Sequence, residues 1–482
     1  MSEPIALVWF RRDLRTADNP ALSAAMASRR PVAGLYVLDE TRRFAAGGAQ
    51  KWFLHHALAA LRRRLEAIGV PLLLRAGPEF ETLEAVVRDL GVGAVYWNRR
   101  YITEDIATDT AVRAHLHHAG VTAASFNASL LREPWEVRTK SGGPFRVFTP
   151  FWKALSAIGP DRTAAIPAPS VRAPNSARRI ISDETDSLRL LPTSPNWASA
   201  FGDEWTPNED GARQALDIFL SRPVDAYDVE RDRPGTRGTS RLSPHLAIGT
   251  IGPHQVWRAA QAAIAARTPA ESGGAKFLAE LAWREFAAHL LYYNPSMTTA
   301  PLRADFNAFP WRDDAAAFRA WTRGMTGVPI IDAGMRELWR TGWMHNRIRM
   351  IAASFLVKNL LVPWEKGERW FWDTLVDADG ASNAAGWQWV AGCGADAAPY
   401  FRIFNPVTQG EKFDPSGAYV RKFVPEIAGL PDKLIHAPWR APELAASLGY
   451  PPPIVDPAQS AKRALAAFAA MKSAVSDLEL TA

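Results

Sequence analysis

The feature that most constrains the fold is a change of rhythm near residue 206. Up to about residue 128, β-rich runs ("IALVWF", "PVAGLYVLD", "PLLLRAG", "GAVYWN" and "VTAASFN") alternate with helical stretches such as "AQKWFLHHALAALRRRLEAIG". Apolar residues in those stretches recur three and four positions apart, so each helix has one face to bury. Alternation of this kind builds a parallel sheet covered on both sides by helices. Beyond residue 206 the β-rich runs nearly vanish and long helical patterns succeed one another. Between the two regimes, from about 160 to 205, Pro, Ser, Arg and Asp dominate, as in "IPAPSVRAP" and "LPTSPNW". Such a composition reads as a connection. A chain of 482 residues is also too long for a single core. The expected organisation is a doubly wound α/β domain over 1–128, a linker over 129–205 and a larger all-α domain over 206–482.

Several function classes drop out on composition. The single cysteine, Cys393, excludes an intramolecular disulfide, a Cys-rich zinc site and a four-cysteine iron–sulfur cluster. No apolar stretch is long enough to span a bilayer, and "MSEPIALVWFRRDLR" does not read as a signal peptide, so a cytoplasmic protein with no membrane partner is expected. No GxGxxG follows the first run, and no P-loop or nucleophile elbow occurs. A formal net charge of +6 suits a polyanionic partner. Fourteen of the 19 tryptophans lie beyond residue 196, which places the unusual chemistry in the C-terminal part.

Four stretches carry candidate chemistry. In "GTSRLSPHLAIG", Thr239, Ser240 and Ser243 precede a helical run with Pro244 at its first position. Their hydroxyls, with Arg241, suit a phosphate, and equally an ordinary capped helix start. In "AKFLAELAWREFAAHLLYY", Glu280, Trp283 and Arg284 fall at i, i+3 and i+4, on one helix face. An acid, an indole and a guanidinium together suit a stacked, hydrogen-bonded base; an amphipathic surface helix uses the same pattern. "TGWMHNRIRMIAASFLVK" sets Asn346 and Met350 four apart, with Arg347 and Arg349 on neighbouring faces. In "DADGASNAAGWQWVAGCGADAAPYFRIFNP" small residues crowd around Trp387 and Trp389, which permits close approach of something large and flat. His115, His117 and His118 form "HLHH" without a supporting carboxylate pattern, so no metal site is expected.

Taken in this order, the pieces resemble the photolyase/cryptochrome family, and within it the class I cyclobutane pyrimidine dimer photolyases. The resemblance runs from "LVWFRRDLRTADNPAL" to "GEKFDPSGAYVRKFVPE", and is most specific at "GTSRLSPHLAIG", "ELAWREF", "TGWMHNRIRMIAASFLVK", "WQW" and "DAAPYFRIFNPVTQGEKFDP". It implies an N-terminal α/β antenna domain and a helical domain holding a U-shaped FAD. Tyr227, Thr239, Ser240, Arg241, Leu242 and Ser243 match the family's diphosphate-binding run. Asp377 and Asp379 match residues near the ribityl and isoalloxazine groups, Arg349 the arginine paired with Asp377, and Asn383 the residue facing flavin N5.

The resemblance also implies UV-damaged DNA containing pyrimidine dimers as partner, bound by a monomer. Glu280, Trp283, Asn346, Arg347, Met350 and Trp389 match the pocket for the flipped-out dimer, with the two indoles stacking on it. Arg231, Arg347 and Arg402 match the arginines on backbone phosphates. The implied activity is light-driven dimer splitting by electron transfer from excited reduced FAD, with Trp387, Trp364 and Trp311 as the chain that reduces oxidised flavin. A signalling cryptochrome is the alternative; the complete dimer pocket, Asn383 and the chain's end soon after "ALAAFAAMKSAVSDLEL" favour repair. A single His345 before Asn346, where (6-4) photolyases carry a histidine pair, favours cyclobutane dimers. For the antenna, Glu104 matches a carboxylate that binds methenyltetrahydrofolate. "PSMTTAP" lacks the basic residue of the best-known folate binders, and "YWNRRYITED" also resembles 8-hydroxy-5-deazaflavin enzymes, so both pigments stay open with folate preferred.

Overall fold

The computed structural model describes residues 3–170, 180–267, 270–396 and 401–481. Residues 171–179 of the expected linker and 397–400 of the "DAAPYF" motif lie outside the described residues. The chain divides into two compact units. One comprises Met1–Asp225, Ser240–Tyr293 and Val376–Ala378; the other comprises Ala226–Thr239, Asn294–Leu375 and Asp379–Ala482.

The first unit is built on five strands: β1 (Ile5–Phe10), β2 (Val32–Leu38), β3 (Leu72–Ala76), β4 (Val92–Asn98) and β5 (Thr122–Phe126). All pair in parallel, in the order β3-β2-β1-β4-β5. The intervening helices are α1 (Pro20–Ala27), α2 (Gly48–Ala67), α3 (Glu79–Leu90) and α4 (Thr103–His118). Central β1 is buried along its whole length, which is why it reads as an unbroken apolar run rather than an alternating one. On one face Trp9 and Trp97, both fully buried, join Leu35, Val95 and Leu116 in a single core. The strand order reverses between β1 and β4, so the crevice beyond their C-terminal ends is where a fold of this type takes a ligand.

Buried Arg15 ties the loop after β1 to distant segments, donating to the carbonyls of Asp18, Ala128 and Gly249. Gly249 adopts φ +83°, and a Cβ there would lie 2.1 Å from the Arg12 carbonyl oxygen, so this contact requires glycine. The unit also contains α5 (Phe148–Ile158), inside the segment expected as linker, and α6 (Ser243–Ile248) and α7 (Ala270–Tyr293).

The second unit is helical; every strand among the described residues precedes residue 127. The elements that matter below are α8 (Pro329–Thr341), α9 (Asn346–Ser354), α10 (Trp364–Thr374) and α11 (Gly380–Ala391). A π-helical turn, Phe355–Asn359, extends α9 and is fully buried. The expectation of a parallel α/β domain followed by a helical domain is met. No helix of the described residues is long and apolar enough to cross a membrane.

Candidate functional site

The first unit holds part of the candidate residues. Helix α7 places Glu280, Trp283 and Arg284 within one turn, as the spacing requires. Their side chains diverge in use. Glu280 is paired with Lys276 at 3.2 Å, one turn earlier. The Arg284 guanidinium donates to the Ser129 carbonyl and lies 3.6 Å from Glu285. Arg284 thus helps dock the 129–132 loop on α7, as does Glu285, which accepts from the Leu131 and Arg132 amides. Burial pushes the Glu285 carboxyl up to about 8 against the pull of Arg284. Trp283 remains half-buried, stacked on Phe148 with ring centroids 3.8 Å apart and planes 7° from parallel.

Helix α6 begins one residue earlier than the Ser-Pro pattern suggests, with Leu242 at the cap, Ser243 as the first helical residue and Pro244 next. The cause is upstream: Arg241 takes the left-handed conformation, φ +54°, and turns the chain just before the helix. Its guanidinium reaches Glu204 at 3.1 Å and lies 4.8 Å over the Trp205 ring. The Ser240 hydroxyl accepts from the Leu242 amide at 3.4 Å. Asp377, in the same unit, is buried.

A cleft enclosing about 680 Å³, its open mouth included, lies at the C-terminal ends of β1, β2 and β4. Glu104 stands at it with a half-exposed carboxylate, 3.7 Å from Arg42. Arg42 and Arg100 are held between Glu79 and Asp105. Tyr36 also lines the cleft, its phenol pushed up by burial and by Glu79. The sequence singled out Glu104 but not this four-member charge cluster, whose members come from three separate βα segments.

In the second unit, α9 starts at His345, whose Nδ1 accepts from the Arg347 amide at 3.2 Å. That bond requires the tautomer protonated at Nε2. Burial pushes the imidazole down to about 4 despite Asp232, so it stays neutral. Asn346 follows at the exposed first position of α9. Arg347 pairs with Asp232 at 2.8 Å, lies 4.5 Å over Phe413, and approaches Met350 Sδ at 3.9 Å. Arg231 shares Asp232 at 3.9 Å and lies 5.6 Å over Tyr227. Arg349 donates to the Met344 carbonyl at 2.7 Å.

Asp379 caps α11 by accepting from the Ser382 amide at 2.8 Å. From Gly380 to Gly386 no side chain exceeds asparagine, and a Cβ at Gly386 would meet nothing within 4 Å. This bare helix face, with half-exposed Asn383 on it, fits a large flat group. Asn383 Nδ2 donates to the Glu368 carbonyl and to Glu368 Oε1, both at 3.0 Å. Both partners are acceptors, so the amide nitrogen must face them and Oδ1 is left as the acceptor. Glu368, fifteen residues upstream, had no signal in the sequence.

Trp389 and Arg402 come together: both line a hollow of about 330 Å³, its open mouth included, with Ser354, Lys358 and Phe404. Trp389 donates from Nε1 to the Asp396 carbonyl at 3.0 Å, and exposed Arg402 lies 4.8 Å over Phe404. Lys358 was not singled out by sequence. Its Nζ donates to the Ala391 carbonyl at 2.7 Å and sits 3.0 Å over Phe401, and burial pushes its amine down to about 6. Trp387 and Trp364 are buried and Trp311 is half-buried. The Trp387 ring rests on Gly367, one turn beyond Trp364 on α10, where a Cβ would lie 2.1 Å away. His115 lies 3.7 Å from Glu84, and no group of three or more His, Cys, Asp or Glu residues suited to a metal occurs among the described residues.

Comparison with known proteins matches residues 6–170 to the DNA photolyase family and residues 277–470 to the FAD binding domain of DNA photolyase. The deoxyribodipyrimidine photo-lyase of Agrobacterium fabrum is 50% identical over 473 residues, covering 97% of this chain and 98% of the relative. Cryptochrome-1 of Arabidopsis thaliana is 36% identical over 93% of this chain and 68% of its own length. The crystal structure of a bacterial class III photolyase from Agrobacterium tumefaciens matches with a TM-score of 0.93 and 48% identity, over 98% of both chains.

Proposed function

The chain belongs to the DNA photolyase family, and from that premise we propose that it is a light-driven DNA-repair lyase that splits cyclobutane pyrimidine dimers. The observation that carries this reading is the hollow shared by Trp389 and Arg402. It sets a half-buried indole, able to stack on a base, beside an exposed guanidinium able to meet a phosphate. Arg231 and Arg347, gathered around one aspartate, supply further positive charge for the DNA backbone. Glu280 and exposed Asn346 offer hydrogen bonds to pyrimidine edges, and Met350 and Trp283 offer apolar contact.

FAD, when bound and reduced, supplies the light-excited electron. Asn383, fixed by Glu368, presents Oδ1 as an acceptor for an N–H such as that at flavin N5. Asp377, Asp379, Arg349, Tyr227 and the 239–243 run are assigned to the rest of the cofactor, and Trp387, Trp364 and Trp311 to its photoreduction. The fall in burial from Trp364 to Trp311 supports a path toward solvent.

Within the family, the motifs resemble class I, whereas the solved relative of 48% identity is a class III enzyme. We assign the chain to that class III kind on the strength of the identity. For the antenna we propose methenyltetrahydrofolate, with Glu104 accepting from the pigment's N–H groups; release of 8-hydroxy-5-deazaflavin on denaturation would overturn that choice. DNA as substrate places the protein in the compartment that holds DNA, where we take it to act as a monomer.

The test is dark binding of dimer-containing and intact duplexes at several salt concentrations. Arg402→Ala should weaken both alike and reduce the salt slope by roughly one unit. Trp389→Ala should weaken the damaged duplex selectively, by about 1–3 kcal/mol. Equal loss on both duplexes with Trp389→Ala removes the stacking role.

A further inference from the structure

Trp283 does not stand alone. Phe148 covers one face of its indole in a near-parallel stack, centroids 3.8 Å apart and planes 7° apart. Phe286 meets its edge at 5.8 Å and 73°. Phe148 and Phe286 are themselves buried, and Phe151 packs on Phe286 at 5.2 Å. Trp283 nonetheless keeps partial exposure, while Phe148 occupies one face of its ring.

The segment that carries the backing ring is itself tied to α7. Just before α5, the Phe145 amide donates to His289 Nε2 at 3.0 Å, while His289 Nδ1 donates to the Pro134 carbonyl at 3.2 Å. His289 lies on α7, two turns beyond Trp283. Burial pushes its imidazole down to about 4, so this one tautomer bridges the 134–145 segment to α7 across the neutral range. Both rings of the stack are therefore referred to the same helix.

We propose that Phe148 is a positioning residue for lesion recognition: it fixes the plane of Trp283 so that a single open face is presented to an extruded pyrimidine dimer. The proposal rests on the reading of Trp283 as a lesion-stacking residue and deepens it. An indole anchored only at Cβ swings about two side-chain torsions, and a ligand that stacks on it must first stop that motion. A stack already made on the rear face removes this cost before the dimer arrives. Aromatic pairs contribute beyond area burial by an amount equivalent to roughly two- to tenfold in affinity. The gain belongs to the damaged base, because intact duplex is held at its phosphates.

The test is a double-mutant cycle read as the ratio of affinities for dimer-containing and intact duplex, in the dark at fixed salt. Phe148→Leu keeps most of the volume and removes the flat face; Phe148→Tyr keeps the face. FAD content and the thermal midpoint report on folding of each variant. Phe148→Leu is expected to lower the ratio roughly two- to tenfold, and Phe148→Tyr to restore it. In a Trp283→Ala background Phe148→Leu is expected to change nothing further. If Trp283→Ala lowers the ratio and Phe148→Leu does not, or does so equally in both backgrounds, Phe148 has no positioning role although the stacking reading of Trp283 stands. If Trp283→Ala itself leaves the ratio unchanged, the stacking reading falls and the proposal falls with it.

Discussion

Lys358 offers a quantitative test of how the hollow beside Trp389 is built. Its side chain is only 1% exposed, and burial pulls the amine from 10.5 to about 6. The unfolded chain therefore holds a proton on this group, between those two values, that the folded chain lacks. Stability rises with pH wherever the unfolded state binds more protons, so folding gains as pH climbs from about 6 toward 10.5. At full weight the slope is about 1.4 kcal/mol per pH unit, or about 3 kcal/mol between pH 7 and pH 9. The Ala391 carbonyl and the Phe401 ring both favour the ammonium and trim the effect. A swing of about 1–3 kcal/mol is expected. Lys358→Met fills the same space without titrating, and its lost hydrogen bond is a constant offset. Urea unfolding of both proteins at pH 7 and pH 9 isolates the effect: the variant's advantage should shrink by that amount on going to pH 9. A difference independent of pH would mean that the folded protein holds Lys358 as an ammonium.

Two further perturbations probe the tryptophans. Trp364→Phe should slow light-driven reduction of oxidised flavin at least tenfold while leaving repair by chemically pre-reduced enzyme intact; loss of both would make Trp364 a structural or substrate-binding residue. Gly367→Ala, which in an exposed helix would stabilise by about 1 kcal/mol, should instead cost about 1–3 kcal/mol because the new Cβ meets the Trp387 ring. Thermal unfolding checks the sign.

The architecture was legible because it is written in local periodicity. The five β-rich runs become the five strands nearly residue for residue, and the 280–284 spacing becomes one turn of α7. What escaped was long-range pairing. Glu368 orients Asn383 from another helix, and Glu204 and Trp205 engage Arg241 from a segment 36 or more residues away. Nothing in a window around Asn383 or Arg241 names those partners. Phe148 was hidden differently. Its segment lies inside the stretch assigned to the linker, although Phe145, Phe148 and Phe151 recur every third residue, a helical-face signal that was there to be read. Lys358 closes the apolar run "IAASFLVK" and lies in the buried π-helical turn, an irregularity that helical periodicity does not announce.

The most direct test of the central claim is a count of restored pyrimidines. A duplex oligonucleotide with one cyclobutane dimer is incubated with the purified protein, its flavin reduced, in blue light and in darkness, and the strands are analysed for intact pyrimidines. Repair should grow with light dose, be absent in the dark, and exceed one dimer per protein chain, since the enzyme turns over. A protein that binds FAD and the damaged duplex yet restores no pyrimidine under light would contradict the account and leave a light receptor in place of a repair enzyme.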